Sequence, residues 1–196
     1  MVKLGFIVEG ITEKIILESS DFFHYLDSLN IAYVPVVIDV KGNGNLLPDK
    51  ISQYTKILSD KGATDIFILT DLDEEQCITN TKARITTQVN RFVIVSIKTI
   101  EAWFLADSEA MRRYFNDPEF YFDYPETVKK PFEEIKVIRK SKIGRGFNDK
   151  RVLANTLVHR IGFSIQRSAK HPNCPSAKYF IDKIAQIAAI NSNAPA

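Results

Sequence analysis

Asp65-Ile-Phe-Ile-Leu-Thr-Asp-Leu-Asp-Glu-Glu75 is the stretch whose reading decides the fold. Phe67, Ile68 and Leu69 form a short apolar run. It ends abruptly in Asp71 and Asp73, with Glu74 and Glu75 behind them. An apolar run of this length between polar residues reads as a strand of a parallel sheet, covered on both faces. In open α/β sheets the ligand site lies at the carboxyl ends of the strands, so the two aspartates emerge at that edge. Alternate residues of an extended segment share a side, and Asp71 and Asp73 converge on one point if strand geometry persists that far. Carboxylates held close together repel unless a proton or a cation sits between them. A hard divalent cation such as Mg²⁺ suits an all-oxygen site. The alternative is an acidic βα loop whose aspartate caps the next helix.

Upstream of this stretch the chain alternates strand and helix. Leu4 to Val8 reads as a strand ending in Glu9-Gly-Ile-Thr-Glu13, with Gly10 for a tight turn and Thr12 as N-cap. Ile15, Ile16, Phe22, Phe23, Leu26 and Leu29 then recur at helical spacing. Ile31 to Val40 is a second strand, and Lys41-Gly-Asn-Gly-Asn45 a loop. Leu47 to Leu58 is a helix with Pro48 in its first turn, stopped by Gly62. Downstream, Thr79 to Val89 reads as a weakly patterned helix, Phe92 to Ile97 as a fourth strand and Glu101 to Phe115 as a helix. This alternation predicts an α/β fold, a parallel sheet of about four strands between helices.

Past Phe115 the pattern changes. Asn116 to Glu126 is acidic and aromatic, and its Phe120 to Tyr124 rings could stack bases or simply pack. Lys136 to Arg151 is strongly basic. Helical stretches follow around Lys150 to Arg160 and Ser176 to Ala189. The expected organisation is a core over 1–115, a mainly helical appendage over 116–190 packed on it, and a frayed tail over 191–196.

Bulk properties narrow the function classes. The chain has 196 residues, 45% hydrophobic and 26% charged, ordinary for a globular protein able to bury its own core. Net charge is +2, so any nucleic-acid footprint must be local. Two cysteines without paired spacing exclude a disulfide scaffold and a cysteine-based zinc module, and fit a reducing cytoplasm. His24, His159 and His171 stand apart at no strand end, and His171 with Cys174 is too little for zinc. No signal peptide is expected, and no apolar stretch approaches a membrane span.

Three strand ends carry acids: Glu9 and Glu13, then Asp71 and Asp73, then Glu101 with Asp107 further along its helix. If the strands are parallel neighbours, these acids collect at one edge, a poor arrangement for stability and a good one for divalent metal. Glu9-Gly-Ile-Thr-Glu13, Asp71-Leu-Asp73 and Ile100-Glu-Ala-Trp-Phe-Leu-Ala-Asp107, in that order, resemble a TOPRIM domain over roughly residues 2–107. The match is to small stand-alone TOPRIM-like proteins related to the nuclease domain of the overcoming-lysogenization-defect (OLD) proteins. Cys174-Pro-Ser-Ala-Lys-Tyr-Phe180 resembles a tail feature of the same group.

The resemblance implies phosphodiester chemistry dependent on Mg²⁺ or Mn²⁺. Glu9 would be a metal-linked glutamate or general acid/base, Asp71 and Asp73 metal ligands, and Glu13 and Glu101 ligands of a second metal. Topoisomerase and primase architectures do not fit 196 residues, which leaves a nuclease or a nuclease subunit. There is no Walker A sequence, so any ATPase would be a separate chain; oligomers are compatible with the sequence, and a part in defence against foreign nucleic acid is implied by the resemblance alone. The partner would be DNA or RNA. Lys98 is a candidate for stabilising the phosphate, and Lys41, Arg139, Lys140, Lys142 and Arg145 for contacting the polynucleotide backbone. Two competing readings stay open: a module silent until it joins a larger complex, and a phosphohydrolase or receiver-like protein using Asp71 as phosphate acceptor.

Overall fold

The computed structural model describes residues 2–75, 77–85 and 88–192. Four strands, β1 (Lys3–Val8), β2 (Ala32–Asp39), β3 (Asp65–Asp71) and β4 (Arg91–Ser96), form one sheet in the order β2-β1-β3-β4. Every pairing is parallel. The chain leaves β1 towards one edge and later leaves β3 towards the other. The strand order therefore reverses between β1 and β3, and in such sheets the crevice beyond the carboxyl ends at that point receives ligands.

The crossover connections distribute the helices over both faces. Helices α1 (Ile11–Leu17) and α2 (Ser20–Ser28) cover one face, and α3 (Pro48–Asp60) and α4 (Ile78–Ile85) the other. Strand alternation assigns the side chains. Leu4, Phe6, Val8, Phe67, Leu69 and Ile94 belong to the first core, whereas Ile7, Ile66, Ile68, Val93 and Val95 belong to the second. At Gly5 the second layer comes so close that a Cβ would lie 3.0 Å from Leu58 Cδ1 and 3.1 Å from Ala63 Cβ. Only glycine lets α3 settle onto β1 there.

Two regions expected as single helices are broken, each by a capping side chain. Ser19 accepts a hydrogen bond from Phe22 N and starts α2. Asp107 accepts from Ala110 N and separates α5 (Glu101–Ala106) from α6 (Ser108–Phe115). A side-chain acceptor satisfies amides that a continuous helix would have paired internally. Thr12 is not the N-cap of α1; Gly10 holds that position.

The remaining helices are α7 (Pro131–Ile143), α8 (Lys150–Thr156), α9 (Ile165–Ala169) and α10 (Pro175–Ser192). α8 runs on into a wider π-type turn, Leu157–Ile161. α7 overlaps the start of the basic stretch and has few buried residues, Pro131 and Ile135 among them, so its sequence carries little helical patterning. The appendage does not stand apart. Its Leu153, Phe163 and Phe180 share one continuous core with Phe6, Phe67 and Trp103. Phe180 is its keystone, with ring centroids 5.7 Å from Phe67, 5.8 Å from Trp103 and 5.8 Å from Phe22.

The tail motif gains a physical account. The buried Glu126 carboxylate accepts from Ser176 N (3.1 Å), the Cys174 thiol (3.3 Å) and the Ser176 hydroxyl, while Trp103 Nε1 donates to Ser176 Oγ at 2.7 Å. Burial holds the Glu126 carboxyl above its usual range. A carboxylate thus seats the start of α10 against the fully buried Trp103. The frayed tail expected over 191–196 lies outside the described residues from 193 onward. Among the described residues, no helix is long and apolar enough to cross a membrane.

Candidate functional site

At the carboxyl ends of β1 and β3 lies a cavity of about 580 Å³ lined by Glu9, Glu13, Asp71 and Glu101, with Lys41, Lys150 and Arg151 around them. Each acid is held by a different local device. Glu9 follows β1, and its amide donates to Leu69 O at 3.0 Å, which fixes it beside β3. Its Oε2 accepts from Thr70 Oγ1 at 2.6 Å and Asp71 N at 3.1 Å. Asp71 is the last residue of β3, and its Oδ1 accepts from Ser96 Oγ at 2.5 Å and Ile100 N at 2.8 Å. Neither Glu9 Oε1 nor Asp71 Oδ2 has a hydrogen bond among the described residues.

Glu101 opens α5 and is 1% exposed; its Oε1 accepts from Thr12 Oγ1 (3.3 Å) and its Oε2 from Lys150 Nζ (3.1 Å). Glu13, 4% exposed, sits in the first turn of α1 with a carboxylate oxygen near Gly10, and carboxylates are favoured at helix starts.

Burial and mutual repulsion set the electrostatics. Burial first, then Glu101 and Glu9, push the Glu13 carboxyl up to about 8, against the pull of its own backbone amide and of Lys150. Burial, then Glu13 and Glu101, raise Asp71 well above the carboxylate range, with the Ser96 hydrogen bond opposing them. Lys150 experiences the converse. Burial works against its charge, but Glu101, with Asp71 and Glu13 behind it, outweighs that and holds its pKa high.

Not every expected residue arrives. Asp73 does not join Asp71. β3 stops at Asp71, and Asp73 adopts a left-handed φ of 50°, which breaks the alternation that would have aligned the two side chains. Its amide donates to Lys98 O at 2.8 Å, and Lys98 is itself left-handed at φ 64°. Asp73 is exposed and lines a second cavity of about 280 Å³ with Lys129, Lys130 and Phe132, which shares only Lys150 with the first. Lys98 lines neither cavity.

Lys41 does line the acidic cavity, also with a left-handed φ of 59°, and Gly42 behind it at φ 118° donates its amide to Glu9 O at 2.8 Å. Left-handed backbone at non-glycine residues is strained, and it gathers here at the ends of β2, β3 and β4. Arg139 lies over the Tyr114 ring at 4.0 Å and donates to Tyr114 O at 2.8 Å, and Lys142 pairs with Asp117 at 2.5 Å. Both have partners within the chain, whereas Lys140 and Arg145 are simply exposed. The Phe120 to Tyr124 aromatics pack: Phe120 lies 4.8 Å from Phe115, and Tyr121 stacks on His171 at 5.0 Å.

Sequence reasoning had treated Lys150 and Arg151 as part of a basic stretch, not as walls of the acidic cavity. Asp149 caps α8 through Val152 N (3.0 Å) and so sets Lys150 at the helix start. Its partner Glu101 is 49 positions away, and no local pattern reports such a pair.

The donor chemistry suits a hard divalent cation: only carboxylate oxygens, two of them on atoms without a hydrogen bond, in a place where negative charge is in excess. Among the described residues, no three His, Cys, Asp or Glu side chains stand already arranged around one ion. The donor set fits by chemistry, and closing it around a cation requires the side chains to move.

No family model matches the chain, and no curated protein matches it. Among solved structures it is similar to the C-terminal region of the Burkholderia pseudomallei OLD protein, at 17% identity over 94% of this chain and 99% of that one, with a TM-score of 0.44. It is also similar to the C-terminal region of the Xanthomonas campestris pv. campestris OLD protein, at 18% identity over 98% of each chain, with a TM-score of 0.36.

Proposed function

We propose that this chain is a metal-dependent nuclease that hydrolyses phosphodiester bonds of DNA or RNA at the acidic cavity. One observation carries the reading. Acids from three separate strand ends meet at the point where strand order reverses, with a lysine bound among them. A structural role does not explain carboxylates that hold one another's pKa values up at a cost in stability.

Glu9, Glu13, Asp71 and Glu101 would hold Mg²⁺ or Mn²⁺. The cation, when bound, supplies charge neutralisation at the phosphate and a more acidic attacking water. The chain's own groups do the positioning. Thr70 and Ser96 orient Glu9 and Asp71 so that one oxygen of each is left for binding. Lys150, Arg151 and Lys41 line the cavity as cations for the non-bridging oxygens of the substrate phosphate. Burial and its acidic neighbours hold the Glu13 carboxyl up at about 8 in the metal-free protein, and positive charge in the cavity would lower it.

A second reading, an assembly-activated subunit acting with a separate ATPase, is favoured by the Lys150–Glu101 ion pair and the outward position of Asp73, both of which leave the acids short of an enclosing arrangement. Cleavage of supercoiled plasmid and of single-stranded RNA, with Mg²⁺, Mn²⁺ or EDTA, separates the two. Metal-dependent cutting by the wild type that disappears in Asp71→Ala is the expected result. Mn²⁺ binding by calorimetry with no cutting of either substrate would select the subunit reading. No metal binding at all would overturn both.

A further inference from the structure

The cavity beside the acidic site has no part in the function proposed above. It is built from three separate segments: the loop after β3, which brings Asp73 and Glu74, the loop after β4, which brings Thr99, and the start of α7, which brings Lys129, Lys130, Phe132 and Glu133. Lys150 is the wall it shares with the acidic cavity, and its ammonium lies 5.9 Å from the centre of the Phe132 ring. Three features go unexplained by packing. The Thr99 hydroxyl is buried without a hydrogen-bond partner. Lys129 and Lys130 are exposed, with no ion pair or side-chain hydrogen bond among the described residues. Lys130, the N-cap of the 13-residue α7, offers no side-chain cap, so the first-turn amides after Pro131 have no capping side chain at the cavity.

We propose that this second cavity is a nucleotide subsite. It seats the residue next to the cleaved phosphodiester, with Phe132 against the base and Lys129 and Lys130 on the adjoining phosphate. The proposal rests on the nuclease reading of the neighbouring acids and extends it from a single phosphate to a polymer. A polynucleotide places a flat ring and an anion on each side of every phosphodiester. An aromatic face beside two unpaired lysines, one lysine away from the cleavage site, matches that repeat. The unpaired Thr99 hydroxyl gives the sugar or base a hydrogen-bond partner.

The test is binding, measured apart from cleavage. Fluorescein-labelled 12-residue DNA and RNA single strands are titrated by anisotropy in Ca²⁺ at low salt against wild type, Lys129→Ala/Lys130→Ala, Phe132→Ala and Arg160→Ala/Lys170→Ala. The last pair removes the same charge from exposed positions outside both cavities. The lysine pair and Phe132→Ala are expected to weaken binding about tenfold each, with the Arg160/Lys170 pair within about twofold of wild type. The comparison of DNA with RNA identifies the polymer. Thermal melts establish that the variants are folded; because Phe132 also packs against Phe147 at 5.4 Å, the exposed lysine pair decides the matter if Phe132→Ala is unstable.

Equal affinities for wild type and the lysine pair would overturn the subsite, as would equal losses in the two double variants, or a wild type that binds neither strand. Lysine-dependent binding without cleavage in Mg²⁺ or Mn²⁺ would keep the subsite and defeat the nuclease reading. Cleavage indifferent to the lysine pair would do the reverse.

Discussion

The two walls of the cleft come from different parts of the chain and are held in different ways. The acids come from residues 9–101 and sit on strand ends or helix starts; Glu9 and Asp71 are fixed by hydroxyls and amides of β3, β4 and the loop after β4, and Glu101 by the Thr12 hydroxyl of α1. Lys150 and Arg151 come from the appendage and are exposed at the first turn of α8. The acidic wall carries an excess of like charge, and the basic wall supplies compensating cations, Lys150 through its ion pair with Glu101. The sheet alone would hold an unbalanced site; the docked appendage balances it.

Five measurements break or sharpen this contrast. The largest effect is expected from Asp71→Asn, which keeps an acceptor for Ser96 and Ile100 but removes the central charge. Cleavage should fall on the order of 10³-fold, while the metal-free melting temperature rises because repulsion with Glu13 and Glu101 is relieved. A variant that keeps cutting would detach the acidic wall from the chemistry. Lys150→Met should cost on the order of 10² in kcat and leave Glu101 unpaired in the cavity; an unchanged rate would reduce the basic wall to scaffolding.

Ser176→Ala probes how firmly the basic wall is docked. It strips a partner from both Trp103 Nε1 and the buried Glu126, and denaturant unfolding should show a loss of about 1–3 kcal/mol. A neutral result would mean that the aromatic core around Phe180 holds the appendage by itself.

Fourth is pH. The folded Glu13 carboxyl has its pKa raised from 4.5 to about 8, so between these values the folded state binds more protons than the unfolded state. Metal-free stability should therefore be fully present below the lower value and decline as pH rises through the window, by up to about 1.4 kcal/mol per pH unit for one proton. Saturating Mn²⁺ should flatten the decline. Melts at several pH values, with and without metal, check this; stability that rises over the window would contradict the shared burial of these acids. The smallest effect is expected of Asp73→Asn, about tenfold in metal affinity or rate, since its side chain lines the neighbouring cavity. A loss equal to that of Asp71→Asn would show that the loop turns Asp73 inward when metal binds.

Much of the fold was legible because burial leaves a periodic trace. The runs around Phe6, Val37, Phe67 and Ile94 read as strands, and their alternation with helices implied a parallel sheet. Acids directly after those runs then had to share an edge, which is how Glu9, Glu13, Asp71 and Glu101 could be named together. Asp73 failed for a local reason: alternation holds only while the backbone stays extended, and a left-handed residue two positions beyond the run leaves no mark in side-chain type. The helix breaks at Ser19 and Asp107 were missed because serine and aspartate also occur within helices, and only a free amide at the right distance turns them into caps.

By itself the sequence determined which runs are strands, that the sheet is parallel and which acids stand at strand ends, since all three follow from short-range spacing and the hydrophobic effect. Tertiary structure alone decided that Lys150 closes the acidic site, that Glu126 seats the tail motif and that Asp73 belongs to a second cavity. Those contacts join positions 49 and 50 residues apart or turn on a single backbone dihedral, and neither leaves a signal in the local pattern of the chain.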